Sequence, residues 1–293
     1  MFYHDNKLQY QVRVEKPNPA FAKLLQQAIG GIEGEVRVCL QYLFQAWGNR
    51  GPSKYRDMLL DTGTEEMAHI EMLCTAVALN LEGSTSALKD KIAGENPLVN
   101  DIMGGMDPRH VISSGLAAMA VDANGVPFNG SWVVGSGNIA ADMYANVMAE
   151  STGRVLAARL YELTDDKGMK DMLSFLITRD AMHQNQWLAV LEELGGPAVN
   201  LPIPNTFPLG NHIPEFDYTF VSTNVAQPGV PADARWASGP SIDGKSEFRY
   251  AAAAPFGQEP VLGTPDVKGY AQEQQRVKVD KSILENIKDT LMP

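Results

Sequence analysis

An all-α core, folded as a four-helix bundle in which two helix pairs are joined by a long crossover, is the fold class this sequence predicts. Three observations carry it. Four long stretches place apolar residues near a 3.6-residue period. Two of those stretches bear a carboxylate followed three residues on by histidine, at Glu66-Met-Ala-His69 and Asp180-Ala-Met-His183. The stretch before each bears a glutamate at a matching separation: 31 residues from Glu35 to Glu66 and 30 from Glu150 to Asp180. Such a repeat sets all four groups at similar depth in the bundle.

The first helix is expected from about Phe21 to Trp47, with Leu24, Leu25, Ala28, Ile32, Val36, Cys39, Leu43 and Ala46 on its apolar stripe. Gly48 and Gly51-Pro52 end it. Tyr55, Leu59, Met67, Ile70, Leu73, Val77 and Leu81 mark a second helix over about 54–81, stopped by Gly83. Residues 84–135 read as a crossover because Gly94, Asn96-Pro97, Gly104-Gly105, Asn124-Gly125 and Asn129-Gly130 interrupt it, with a short helix over about 108–121 inside. A third helix follows over about 138–163, a turn at Asp165-Asp166 and Gly168, and a fourth helix over about 169–194, ended by Gly195-Gly196-Pro197. Pair, crossover, pair is the ferritin-like topology.

Residues 1–197 therefore read as the bundle domain with an N-terminal arm, and 198–293 as an irregular, partly extended C-terminal extension. Prolines recur in that extension, and no long periodic segment appears before Ser282–Leu291. It also carries Phe207, Phe216, Tyr218, Phe220, Trp236, Phe248, Tyr250 and Phe256, which call for burial against the bundle or a neighbouring subunit.

At 293 residues and 44% apolar composition the chain can bury a large core. Its net charge of −11 and pI near 4.9 argue against nucleic acid, which needs clustered Lys and Arg. No secretory signal opens it and no run of 18 apolar residues occurs, so a soluble, cytoplasmic protein without a membrane partner is expected. Cys39 and Cys74 lie among apolar neighbours and read as buried thiols.

Carboxylates on an apolar helix face cannot stay ionised without compensation, and a divalent metal supplies it. Three-residue spacing lets Glu66 with His69, and Asp180 with His183, reach a common point. Glu35 is preferred over Glu33 because Cys39 and Tyr42 extend its face, and Tyr42 is placed to orient the Glu35 carboxylate. Glu66 is preferred over Glu65 for its pairing with His69, although Glu65 lies four residues before His69 and spacing leaves it open. Glu150 is the only carboxylate between Asp142 and Glu162. Oxygen-rich ligation with two imidazoles suits manganese or non-haem iron better than zinc.

At Gly34-Glu35 with Tyr42, Glu65 to Glu71, Asn146 to Glu150 and Asp180 to Gln184, the chain resembles the manganese catalases, and the likeness extends over nearly its whole length. The resemblance implies two manganese ions held by Glu35, Glu66, His69, Glu150 and His183, with Glu66 bridging and Asp180 a nearby non-ligand acid. It implies disproportionation of hydrogen peroxide to water and dioxygen. It further implies a homo-oligomer, a hexamer, and a structural calcium held partly by Asp57 and Asp61. Two positions depart from the family pattern: Asp180 stands where glutamate is usual, and Ala149 where some members have arginine, a charge for which Arg154 is a candidate substitute. The competing readings are a diiron oxidase or iron-handling protein and a structural, spore-coat type of assembly protein.

Overall fold

The structure is a computed structural model that describes residues 4–82, 105–204, 206–224, 226, 229–252 and 260–261. Helix α1 spans Pro19–Gly30; Asn18 caps it by accepting from the Phe21 N–H at 3.1 Å, and Pro19 fills the first turn. Helix α2 spans Glu35–Gly48, and α3 spans Ser53–Asn80. A one-turn helix α4 (Arg109–Ile112) follows in the crossover, then α5 (Ile139–Glu162) and α6 (Lys167–Glu193). Asn138 caps α5 through Ala141 N–H, and Asp166 caps α6 through Met169 N–H. Helix α2 packs along α3, and α5 along α6, which gives the two pairs of a ferritin-like bundle.

Two expected helices are corrected. The stretch 21–47 is not continuous: residues 31–34 interrupt it, and exposed Ile32 lies in the break rather than on an apolar stripe. The chain turns tightly there, since a Cβ on Gly34 would stand 2.6 Å from the Ile29 carbonyl oxygen. The short helix expected over 108–121 is a single turn. The rest of that segment is clasped to α1 instead, where buried Gln26 donates to the Met119 and Val121 carbonyls at 2.6 and 3.0 Å and accepts from Met119 N–H.

Two apolar clusters fill the bundle on either side of its middle. One includes Ile29, Met72, Leu173 and Leu176; the other includes Tyr42, Leu59, Ala149 and Trp187. Along each long helix the metal-ligand candidates fall in the interval between the two. The N-terminal arm lies on α6: Tyr10 and Gln11 donate to Asp171, Arg13 pairs with it at 3.2 Å, and Tyr10 stacks on Phe175.

The chain divides into two compact units, Met1–Tyr218 with Ser238–Arg249, and Thr219–Ala237 with Tyr250–Pro293. In the first, helices α7 (Gly196–Asn200) and α8 (Pro214–Asp217) follow the bundle. Strands β2 (Gly239–Pro240) and β3 (Glu247–Ala252) pair antiparallel with Gly239 opposite Phe248. The second holds strand β1 (Thr219–Ser222) and an edge-on contact of Phe220 with Trp236. Phe207, Phe216, Phe220 and Trp236 are exposed. Phe256, the segment 282–291 and the breaks at Gly94, Asn96-Pro97 and Gly104 lie outside the described residues.

Candidate metal centre

Glu35 enters the site as the first residue of α2, where the helix N-terminus favours a carboxylate. Glu66 and His69 come from one turn of α3, Glu150 from α5, and Asp180 and His183 from one turn of α6. Glu66, His69, Glu150 and His183 are buried, and Glu35 nearly so. Their donor atoms form two groups that share one member: Glu35, Glu66 and His69, and Glu66, Glu150 and His183, with all atoms of a group within 4.8 Å of one another.

Each histidine turns Nδ1 toward the inner carboxylates. His69 Nδ1 lies 2.6 Å from Glu66 Oε2 and 3.9 Å from Glu35; His183 Nδ1 lies 2.9 Å from Glu66 Oε1 and 3.4 Å from Glu150. The two rings stand 6.0 Å apart, nearly parallel. Glu66 Oε1 and His183 Nδ1 are buried without a hydrogen-bond partner although they face each other, which is how two ligands aimed at one cation are arranged. Three carboxylates around two imidazoles suit a hard to borderline divalent ion such as manganese, so the residues fit that metal.

Burial, and then the Glu66 charge, push Glu35 well above the usual carboxylate range. Burial also opposes ionisation of Glu66, but the two imidazoles outweigh it and hold the group at about 2. Asp180 is raised to about 8 by burial first and by Glu150 and Glu66 next. Burial would lower His183, yet hydrogen bonds to Glu150, Glu65 and Glu66 raise it to about 12. So much opposed charge in one dry site is stable only as a mutually compensated set.

Several sequence-derived roles change. Tyr42 donates to Glu150 Oε1 and not to Glu35, which lies two turns before it on the same helix. The outer nitrogen of His183 lies 3.2 Å from Glu65. Glu65 faces away from the inner carboxylates and accepts a two-pronged pair from Arg179 at 2.6 and 3.1 Å. Arg154, the candidate cation, donates through its guanidinium to the Ile177 carbonyl. Met67, expected on the apolar stripe of its helix, is exposed. Asp57 and Asp61 are exposed on α3, and neither joins a group of three possible ligands among the described residues.

Asp180, Glu35, Glu150 and Ala149 line a cavity of about 20 Å³, room for one molecule of water size. A buried amide cluster sits one turn before Glu150. Asn146 Oδ1 accepts from Gln41 and Gln45 at 2.8 Å each, and Asn146 returns a bond to Gln45. Gln41, Gln45 and Arg179 were not singled out from sequence, although Arg179 lies one helical turn before His183 and the four-residue spacing was visible.

Fold and site together define a ferritin-like bundle protein with a paired carboxylate–histidine centre fit for metal. Residues 1–286 match the family model described as manganese containing catalase. A manganese catalase of Bacillus subtilis (strain 168) is 46% identical over 265 residues, 89% of this chain and 94% of that protein. A manganese catalase of Lactiplantibacillus plantarum is 43% identical over 194 residues, 66% of this chain and 72% of that one. The crystal structure of KatB, a manganese catalase from Anabaena PCC7120, superposes with a TM-score of 0.68 at 23% identity over 86% of this chain and 99% of that one, a likeness of fold. The chain belongs to the manganese-containing catalases. It is an enzyme that disproportionates hydrogen peroxide to water and dioxygen, with manganese as its cofactor.

Proposed function

We propose that Glu35, Glu66 and His69 hold one manganese ion and Glu66, Glu150 and His183 a second, with Glu66 shared. The observation that carries this reading is the pair of three-residue groups meeting at Glu66. When bound, such a pair supplies two-electron redox chemistry, cycling between Mn(II) and Mn(III) as one peroxide is reduced and a second is oxidised. The chain's own groups do the rest. Tyr42 fixes the pose of Glu150 by donating to it. Asp180, at the wall of the small cavity, is placed to give and recover a proton there. Apolar packing above and below limits entry to a small neutral molecule.

The test is manganese content together with oxygen release from peroxide. His69→Ala and His183→Ala are each expected to lose one ion and nearly all oxygen release. Two retained ions and parent-like turnover in either variant would remove that histidine from the ligand set.

The assembly is read as a homo-oligomer, a hexamer. Phe207, Phe216, Phe220 and Trp236 are exposed aromatic surface suited to burial by further copies. Asp57 and Asp61 stand one turn apart on α3 and offer a calcium ion two carboxylates, with further oxygens to come from a neighbouring copy. No described helix is long and apolar enough to cross a membrane, and both cysteines are free thiols, which support a cytoplasmic setting. Light scattering before and after calcium chelation tests the assembly; a particle of one subunit in both conditions would refute it.

A further inference from the structure

We propose that Glu65 is a positioning residue that selects the nitrogen His183 presents to the metal centre, and that Arg179 and Gln9 hold it in place. The inference rests on the dimanganese reading and concerns the side of the site away from the inner carboxylates.

A neutral imidazole has one N–H and one lone pair, and the partner of one nitrogen decides what the other can do. Both histidines point Nδ1 inward, toward Glu66 and either Glu35 or Glu150. Both turn Nε2 toward the same carboxylate, but only His183 is in hydrogen-bond reach: Glu65 Oε2 is 3.2 Å from His183 Nε2, whereas Glu65 Oε1 is 3.6 Å from His69 Nε2, which is buried without a hydrogen-bond partner. An ionised carboxylate only accepts, so the proton is drawn to Nε2 and the lone pair is left on Nδ1. A side chain on one helix pair thereby sets the tautomer of a ligand on the other.

Glu65 can do this because it is itself clamped. Arg179 grips it with Nε on Oε1 at 2.6 Å and Nη2 on Oε2 at 3.1 Å, the two-pronged geometry that fixes a carboxylate plane. Gln9 of the N-terminal arm donates to Oε1 at 2.8 Å. The spacing is local on both helices: Glu65 precedes His69, and Arg179 precedes His183, by one turn. Glu65, Arg179 and Gln9 line an open surface hollow that shares no residue with the cavity beside Asp180. Substitutions there leave the peroxide-side cavity intact.

The experiment titrates a chelator against the manganese-loaded parent, Glu65→Gln and Arg179→Gln, recording retained manganese, the Mn(II) electron paramagnetic resonance spectrum and thermal unfolding. The amide of Glu65→Gln can turn its NH₂ toward Nε2 and support the wrong tautomer. Manganese retention is expected to fall about 10- to 100-fold in Glu65→Gln and about tenfold in Arg179→Gln, the usual range for partners of metal-bound histidines. The coupled two-ion signal should give way to a six-line mononuclear one at chelator levels the parent withstands. A mere interhelix ion pair predicts the opposite: both variants unfold earlier, yet keep parent retention and spectrum, and that outcome overturns the proposal. If Glu65→Gln folds poorly, parent-like retention in Arg179→Gln alone refutes the clamp. A parent that binds no manganese refutes the dimanganese reading instead, and is recognised before any variant is compared.

Discussion

Replacing Tyr42 by phenylalanine isolates one bond in the site. Tyr42 is fully enclosed, its ring packs 4.9 Å from that of Trp187, and its hydroxyl donates to Glu150 Oε1. Phenylalanine keeps the ring, so no large cavity opens and the loss is confined to the hydroxyl. A hydrogen bond to a charged acceptor contributes about 1.5–3 kcal/mol. At about 1.4 kcal/mol per factor of ten, that is roughly 10- to 150-fold in an equilibrium that depends on the pose of Glu150. The range of about 10- to 100-fold measured for partners of metal ligands is consistent with it. Two assays apply: manganese retention against a chelator, expected to weaken by that factor, and thermal unfolding without manganese. At about 2–4 °C per kcal/mol, the melting temperature should fall by roughly 3–12 °C. Parent-like retention and melting in Tyr42→Phe would refute the view that this hydroxyl holds Glu150 in place.

Asp180→Ala should lower oxygen release about 10- to 100-fold, whereas Asp180→Glu should keep it, because a carboxyl is retained on that helix face; equal activity in both would take Asp180 out of the proton path. Gly30→Ala would set a Cβ 2.5 Å from the backbone N and O of Val121, so the crossover must shift from α1 at a cost of about 1–3 kcal/mol, visible as a lower urea midpoint. Cys39 is held up to about 12 by burial and then by Glu66 and Glu35, so at pH 8 it should resist alkylation in the folded protein and react once unfolded. Its linkage has a definite sign: the unfolded thiol ionises near pH ~8.5 while the folded one stays protonated, so this contribution to stability is full below pH ~8.5 and is lost as pH rises toward about 12. Cys39→Ser with an unchanged alkaline stability profile would contradict it.

What the sequence determined by itself was whatever depends on spacing along one helix. Glu66 with His69 and Asp180 with His183 share a helix face by period alone, and apolar stripes with Gly and Pro stops mark long helices over most of 54–81, 138–163 and 169–194. The glutamates Glu35 and Glu150 could be brought to the same depth because their separations from the paired motifs agree. Only the tertiary structure decided what depends on rotation and translation between helices. The break at 31–34 was invisible because glycines within a periodic stretch are tolerated in a helix, and only the crossover lying on Gly30 and the tight turn at Gly34 show why the chain stops there. The packing of α2 against α5 gave Tyr42 to Glu150 rather than to Glu35. Spacing left Glu65 and Glu66 both open, since three and four residues on a helix each reach His69; the two carboxylates were told apart by which edge of the imidazole each met, and that edge is fixed by α6 bringing His183 and Arg179 across from the other helix pair.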